Sequence, residues 1–137
     1  MYGPVIFSVL TSGTFSQGQN FIGFEKFLVN VGDSFSLSDG IFKAQRNGIY
    51  EFSASLYHST PNYDAIAVVK NGSQVVSFGE WQGNDTPGAF DDGTLSFSWI
   101  MELQKDDKIQ LQVERGTFNC EFSSPDCIFN GKLLKNM

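Results

Sequence analysis

The run Gly48-Ile49-Tyr50-Glu51-Phe52-Ser53-Ala54-Ser55-Leu56-Tyr57 decides how this chain folds. From Gly48 to Phe52 the side chains alternate strictly, and the alternation stays legible to Tyr57. A strand with one face in a core and the other toward solvent requires that period of two, whereas a helix would show a period of about 3.6. Working outward, short apolar runs are separated by turn residues. Upstream, residues 5–9 read as a first strand, 11–20 as a polar, Gly-rich loop, 21–29 as one strand or two short ones, and 41–43 as another. Downstream, Asn71-Gly72 separates the runs 65–70 and 74–78, and this dipeptide tolerates the positive φ angles of a type I′ hairpin turn. Residues 94–103, 109–113 and 128–134 supply further strands. The pattern predicts about ten strands, no helix, and a sandwich or barrel.

The composition agrees. The chain has 137 residues, which fits a single domain over 1–137 with a core of its own. Hydrophobic residues make up 41% and charged residues 18%, a globular balance. Fourteen phenylalanines stand out, and their rings suit a pleated, half-buried surface. The formal net charge is -6. No basic stripe is present to neutralise phosphates, so nucleic acid is excluded as a partner and anionic membranes are disfavoured. No stretch is long and apolar enough for a transmembrane helix, so membrane insertion is not expected. The opening Met1-Tyr2-Gly3-Pro4 lacks the basic region and apolar core of a leader. The expectation is a cytosolic chain or one whose leader has been removed. No Gly-x-y repeat occurs.

Catalytic motifs are missing. His58 is the one histidine, and at the end of a strand it reads as an ordinary surface residue. No serine sits in a Gly-x-Ser-x-Gly elbow, and no phosphate-binding or dinucleotide glycine pattern occurs. Asp91-Asp92 and Asp106-Asp107 are adjacent loop carboxylates, which suits turn formation better than glycosidase chemistry. An enzyme is therefore not expected. Cys120 and Cys127 flank a short loop containing Pro125, which can bring its ends within bridging distance; a disulfide and two free thiols both remain open. Tyr57, His58, Tyr63, Trp81 and Gln82 fall at strand ends or in loops, where binding residues collect on a rigid sandwich. Aromatic rings there could cover the apolar face of a sugar while polar neighbours take its hydroxyls. Single exposed aromatics are also ordinary on protein surfaces.

The spacing of Phe24, Asn30, Phe35, Phe42, Gly48, Tyr50 and Phe52 closely resembles the signature of the complement C1q globular-head family. Ala54 stands where that signature ends in Phe or Tyr. Residues 103–113 resemble the family's hairpin, with Asp106 in place of a usual Gly. Phe129-Asn130-Gly131-Lys132-Leu133-Leu134 resembles its closing strand, with Lys132 in place of a usual aromatic. The resemblance implies a ten-stranded jelly roll, related to the tumour necrosis factor fold, that assembles as a homotrimer. It further implies a secreted, non-enzymatic recognition protein that binds glycans or microbial surface patterns. Residues 28–32 and 113–116 look closest to the cerebellin branch, which implies an extracellular protein scaffold as the alternative; a matrix or biomineral role is a third. Membership of an extracellular family tips Cys120 and Cys127 toward a disulfide. Several relatives hold calcium in the loop that here contains Asp85, Asp91 and Asp92, so these are candidate calcium ligands as well as turn formers.

Overall fold

The computed structural model describes residues 3–58, 63–81, 93–121 and 127–137. Twelve strands and no helix occur among them: β1 (Ile6–Thr11), β2 (Gly13–Ser16), β3 (Phe24–Val31), β4 (Phe35–Ser36), β5 (Ile41–Lys43), β6 (Gly48–His58), β7 (Tyr63–Lys70), β8 (Ser73–Trp81), β9 (Gly93–Leu103), β10 (Lys108–Arg115), β11 (Thr117–Cys120) and β12 (Ile128–Asn136). The count exceeds the expected ten. One reason is β2, which lies inside the stretch read as a loop. Gly-Thr-Phe-Ser has no apolar alternation of its own, and its pairing with β11 makes it a strand.

The alternating run becomes β6, and its period holds over 11 residues. Gly48, Tyr50, Phe52, Ala54, Leu56 and His58 point inward and are buried. β9 lies along one edge of β6 for its full length, without a register shift. β12 and then β11 take the other edge. The first sheet therefore runs β9-β6-β12-β1-β3, with β11 and β2 extending it at the end near His58. The second sheet runs β4-β5-β10-β7-β8. Every pairing is antiparallel. Beyond β5, the free edge of β10 is taken by the connection before β3. There Gly18 N–H donates to Val113 O (2.8 Å), Val113 N–H to Gln19 O (2.9 Å) and Phe21 N–H to Leu111 O (3.0 Å).

The phenylalanines fill the space between the sheets. Phe7 stacks on Phe35 with centroids 4.7 Å apart and meets Phe129 edge-on at 5.2 Å. Phe42 contacts Phe52 edge-on at 5.2 Å. Such offset and edge contacts suit the quadrupoles of the rings. Gly131 sits opposite Phe52 in register, and the Phe7 ring occupies the space a side chain at 131 would need. Tyr50 carries its ring into the same core and donates its hydroxyl to Arg46 O at 2.7 Å; burial pushes its phenol above the ordinary range.

The turns follow the expected chemistry. Asn71 and Gly72 both have positive φ, 51° and 86°, as a type I′ turn demands. The Asn71 side chain also donates to Asp107 Oδ1 at 2.9 Å and accepts the Lys108 N–H at 2.8 Å, which ties the 70–73 turn to the next one. That hydrogen bond, more than any other contact, holds the Asp107 carboxyl below its usual range. Asp106 has φ 75°, the left-handed conformation that glycine adopts most readily.

Candidate interaction surfaces

The end of the sandwich at which β6 hands over to β7 holds a buried acid–base pair. His58 Nδ1 lies 2.6 Å from Asp64 Oδ2, and both side chains are 0% exposed. The contact departs from the ring N–H direction, so it is an ion-pair approach and not an aligned hydrogen bond. Nε2 has no hydrogen-bond partner among the described residues, and the Phe118 ring lies 5.6 Å from the imidazole. Asp64 Oδ1 fills the place where a side chain at 116 would begin, and Gly116 has φ 83°. Only glycine meets both demands. The expectation that His58 is a surface residue is thus corrected. Its even-numbered place on β6 turns it inward, and it links the first sheet to Asp64 of the second.

Of the other candidates, Tyr57 and Tyr63 lie on different sheets. Tyr57 lies half-buried on the outer face of the first sheet, opposite Thr94. Tyr63 lies on the outer face of the second, 37% exposed, with its ring laid across Gly79. Trp81 closes β8 in register with Tyr63. Its side chain, together with Gln82, Asp85, Asp91 and Asp92, lies outside the described residues. Cys120 and Cys127 form a disulfide with Cα atoms 5.5 Å apart, joining the end of β11 to the residue before β12. Tyr57 N–H points to Cys127 Sγ at 3.4 Å, so the bridge packs against the end of β6.

Local sequence pattern does not reveal a surface built across five strands. On the outer face of the first sheet, Val31, Ile6, Lys132, Glu51 and Ile100 form one cross-strand row. Lys132 Nζ and Glu51 Oε1 are 3.4 Å apart at its middle. The next row is Val29, Ser8, Asn130, Ser53 and Ser98. Ser8 donates to Asn130 Oδ1 at 2.5 Å, and the Asn130 amide donates to Ser53 Oγ at 3.2 Å. A depression of about 290 Å³ lies between these polar groups. The face is therefore apolar at its margins and polar at its centre. Beside it, the free edge of β9 stands next to β8, where Phe78 stacks on Phe97 at 4.6 Å. Phe97, Trp99 and Met101 point inward but stay only half-buried, because among the described residues no strand continues the first sheet past β9. Parity placed these rings correctly; what the sequence could not show is that the sandwich is open along that edge.

A family model described as the C1q domain matches residues 6–134. Among solved structures, the globular domain of zebrafish complement 1qA protein superposes with a TM-score of 0.72 at 18% sequence identity, covering 97% of this chain and 99% of that one. Murine APRIL at pH 5.0 gives 0.75 at 11% identity, with coverages of 96% and 100%. Eiger TNF from S. frugiperda gives 0.79 at 6% identity, with coverages of 99% and 96%. At such identities the likenesses speak for the fold, a jelly roll shared by these proteins. The family match spans nearly the whole chain, and Phe24, Phe35, Phe42, Tyr50 and Phe52 of the signature are all buried in the core. This chain belongs to the C1q domain family.

Proposed function

We propose that this chain is a non-enzymatic, extracellular recognition head that works as a trimer of identical copies and binds glycans or microbial surface patterns. The observation that carries the assembly is the edge formed by β9. It is 11 residues long, has no bulge, no proline and no lysine, and leaves Phe97, Trp99 and Met101 half-buried. A flat edge of that kind invites association unless something covers it. Three copies about one axis give a closed assembly that repeats every binding site three times. Weak sites then gain avidity without a new contact. The buried disulfide fits an oxidising compartment.

For the ligand, support comes from Tyr63. Its side chain, 37% exposed, reaches over Gly79 at one end of the second sheet, an aromatic surface against which the C–H face of a sugar can pack. Pull-down on bacterial polysaccharide, with release by free sugar, tests this. Tyr63→Ala should weaken capture by about tenfold per site while the fold persists. Retention unchanged by Tyr63→Ala would remove that residue. Failure to bind any glycan, with capture of a defined receptor ectodomain instead, would replace the glycan reading with the scaffold one. Calcium in the loop of Asp85, Asp91 and Asp92 belongs to the same proposal: chelator should lower the melting temperature, and an unchanged value removes the ion.

A further inference from the structure

Asn-Gly occurs at residues 47–48, 71–72 and 130–131. In such a pair the glycine nitrogen can attack the asparagine carboxamide, because no side chain at the second residue shields it. The fold closes two of the three pairs. Gly48 and Gly131 are buried in β6 and β12, with strands paired on both sides. Gly72 differs. It lies outside the ladder, its N–H has no hydrogen-bond partner among the described residues, and the space beside its Cα is open. Asn71 is exposed as well, but its carboxamide is held. Nδ2 donates to Asp107 Oδ1 at 2.9 Å, and Oδ1 accepts the Lys108 N–H at 2.8 Å. The other Asp107 oxygen accepts the Gln104 N–H at 2.8 Å and lies 3.7 Å from Lys70 Nζ, so the holding group is itself fixed.

We propose that Asn71 is a site of spontaneous deamidation and that the clasp from Asp107 and Lys108 sets its rate. In the reaction Gly72 N gives up its proton to water or hydroxide and bonds to Asn71 Cγ. The Cγ–Nδ2 bond breaks, and Nδ2 leaves as ammonia. Water then opens the resulting succinimide to aspartate or isoaspartate. The clasp opposes the first step, since Cγ must leave Asp107 and Lys108 to meet Gly72 N. Both products undo what the clasp builds. Aspartate sets a second carboxylate against Asp107, and like charges so close disfavour each other. Isoaspartate adds a carbon to the backbone of a two-residue turn whose length fixes the hairpin register. The inference is independent of what the chain binds and of how its copies assemble.

Peptide mapping by mass, after incubation in mildly alkaline buffer, tests it. In the folded protein, conversion should fall on Asn71 and spare Asn47 and Asn130. In denaturant all three should react, and Asn71 should react at least about tenfold faster than in the fold, since a hydrogen bond to a charged group is lost. Folded Asp107→Ala should recover most of that gap. Asp107→Asn keeps an oxygen to accept from Nδ2 and should react at a rate between Asp107→Ala and wild type, because a neutral acceptor binds more weakly. Conversion at Asn47 or Asn130 as fast as at Asn71 in the fold overturns the assignment of the site. Folded Asp107→Ala reacting at the wild-type rate overturns the clasp. Should Asp107→Ala fail to fold, Asp107→Asn decides: a rate equal to wild type overturns the clasp. Asn71→Asp reproduces the simpler product and should unfold at lower denaturant than wild type; an unchanged midpoint overturns the stated consequence.

Discussion

One residue along each strand separates two rows that behave as different materials. Phe7, Gly131, Phe52 and Trp99 cross the inner face of the first sheet in register. Ile6, Lys132, Glu51 and Ile100 cross the outer face one step away on the same four strands. In the inner row one position is small so that its neighbour can be large: Gly131 is bare and Phe7 fills its space. In the outer row neighbours are joined by charge and remain partly in water. The inner row depends on shape, which tolerates little change. The outer row depends on sign, which water softens. The fold resides in the first.

The largest expected effect breaks the inner row. Phe7→Ala removes a ring in contact with Phe35, Phe42, Phe52 and Phe129. It should cost about 3–5 kcal/mol in denaturant unfolding, from lost transfer energy plus the cavity left behind. A cost under about 1 kcal/mol would mean that the two sheets collapse onto the gap, and that the aromatic packing is far softer than its geometry implies.

Much of this inner row was legible. A period of two from Gly48 onward points to a sandwich or barrel, and phenylalanines at family spacing on both sides imply the jelly roll. Asn71-Gly72 announced its hairpin because only a few residue pairs accept positive φ twice in succession. Three things were not legible, for separate reasons. β2 has no pattern of its own and owes its conformation to β11. The Lys132–Glu51 row required the pairing register of residues far apart in sequence, which local pattern does not supply. His58 was different, because its signal was present. Counting by twos from Tyr50 through Phe52, Ala54 and Leu56 arrives at His58, on the buried side. Strand ends usually release their last side chain to water, and that rule concealed the parity.

The next test separates charge from shape inside the core. Asp64→Asn keeps the volume beside His58 but removes the negative charge from a pair that is wholly buried. Loss of about 3 kcal/mol is expected, because breaking a buried pair strands the remaining polar group. Replacing both residues with leucine should cost less than Asp64→Asn alone, since neither then demands a partner. Should the double variant prove the worse of the two, the pair would be holding the β6–β7 end together in a way that apolar packing cannot reproduce, and the inner face would depend on charge as well as shape.

The smallest expected effect lies in the outer row and sharpens the comparison most. Glu51→Gln removes the acid partner of Lys132 with little change in size. Unfolding should be measured in denaturant, at moderate salt. The Lys132 ammonium is already half in water and the carboxylate more than a third exposed, so solvent takes over most of what the pair supplies. The loss should be about 0–1 kcal/mol, the range for exposed ion pairs. If the single chain instead lost as much as it does with Asp64→Asn, the outer face would be part of the folding unit, and the division between shape inside and sign outside would fail.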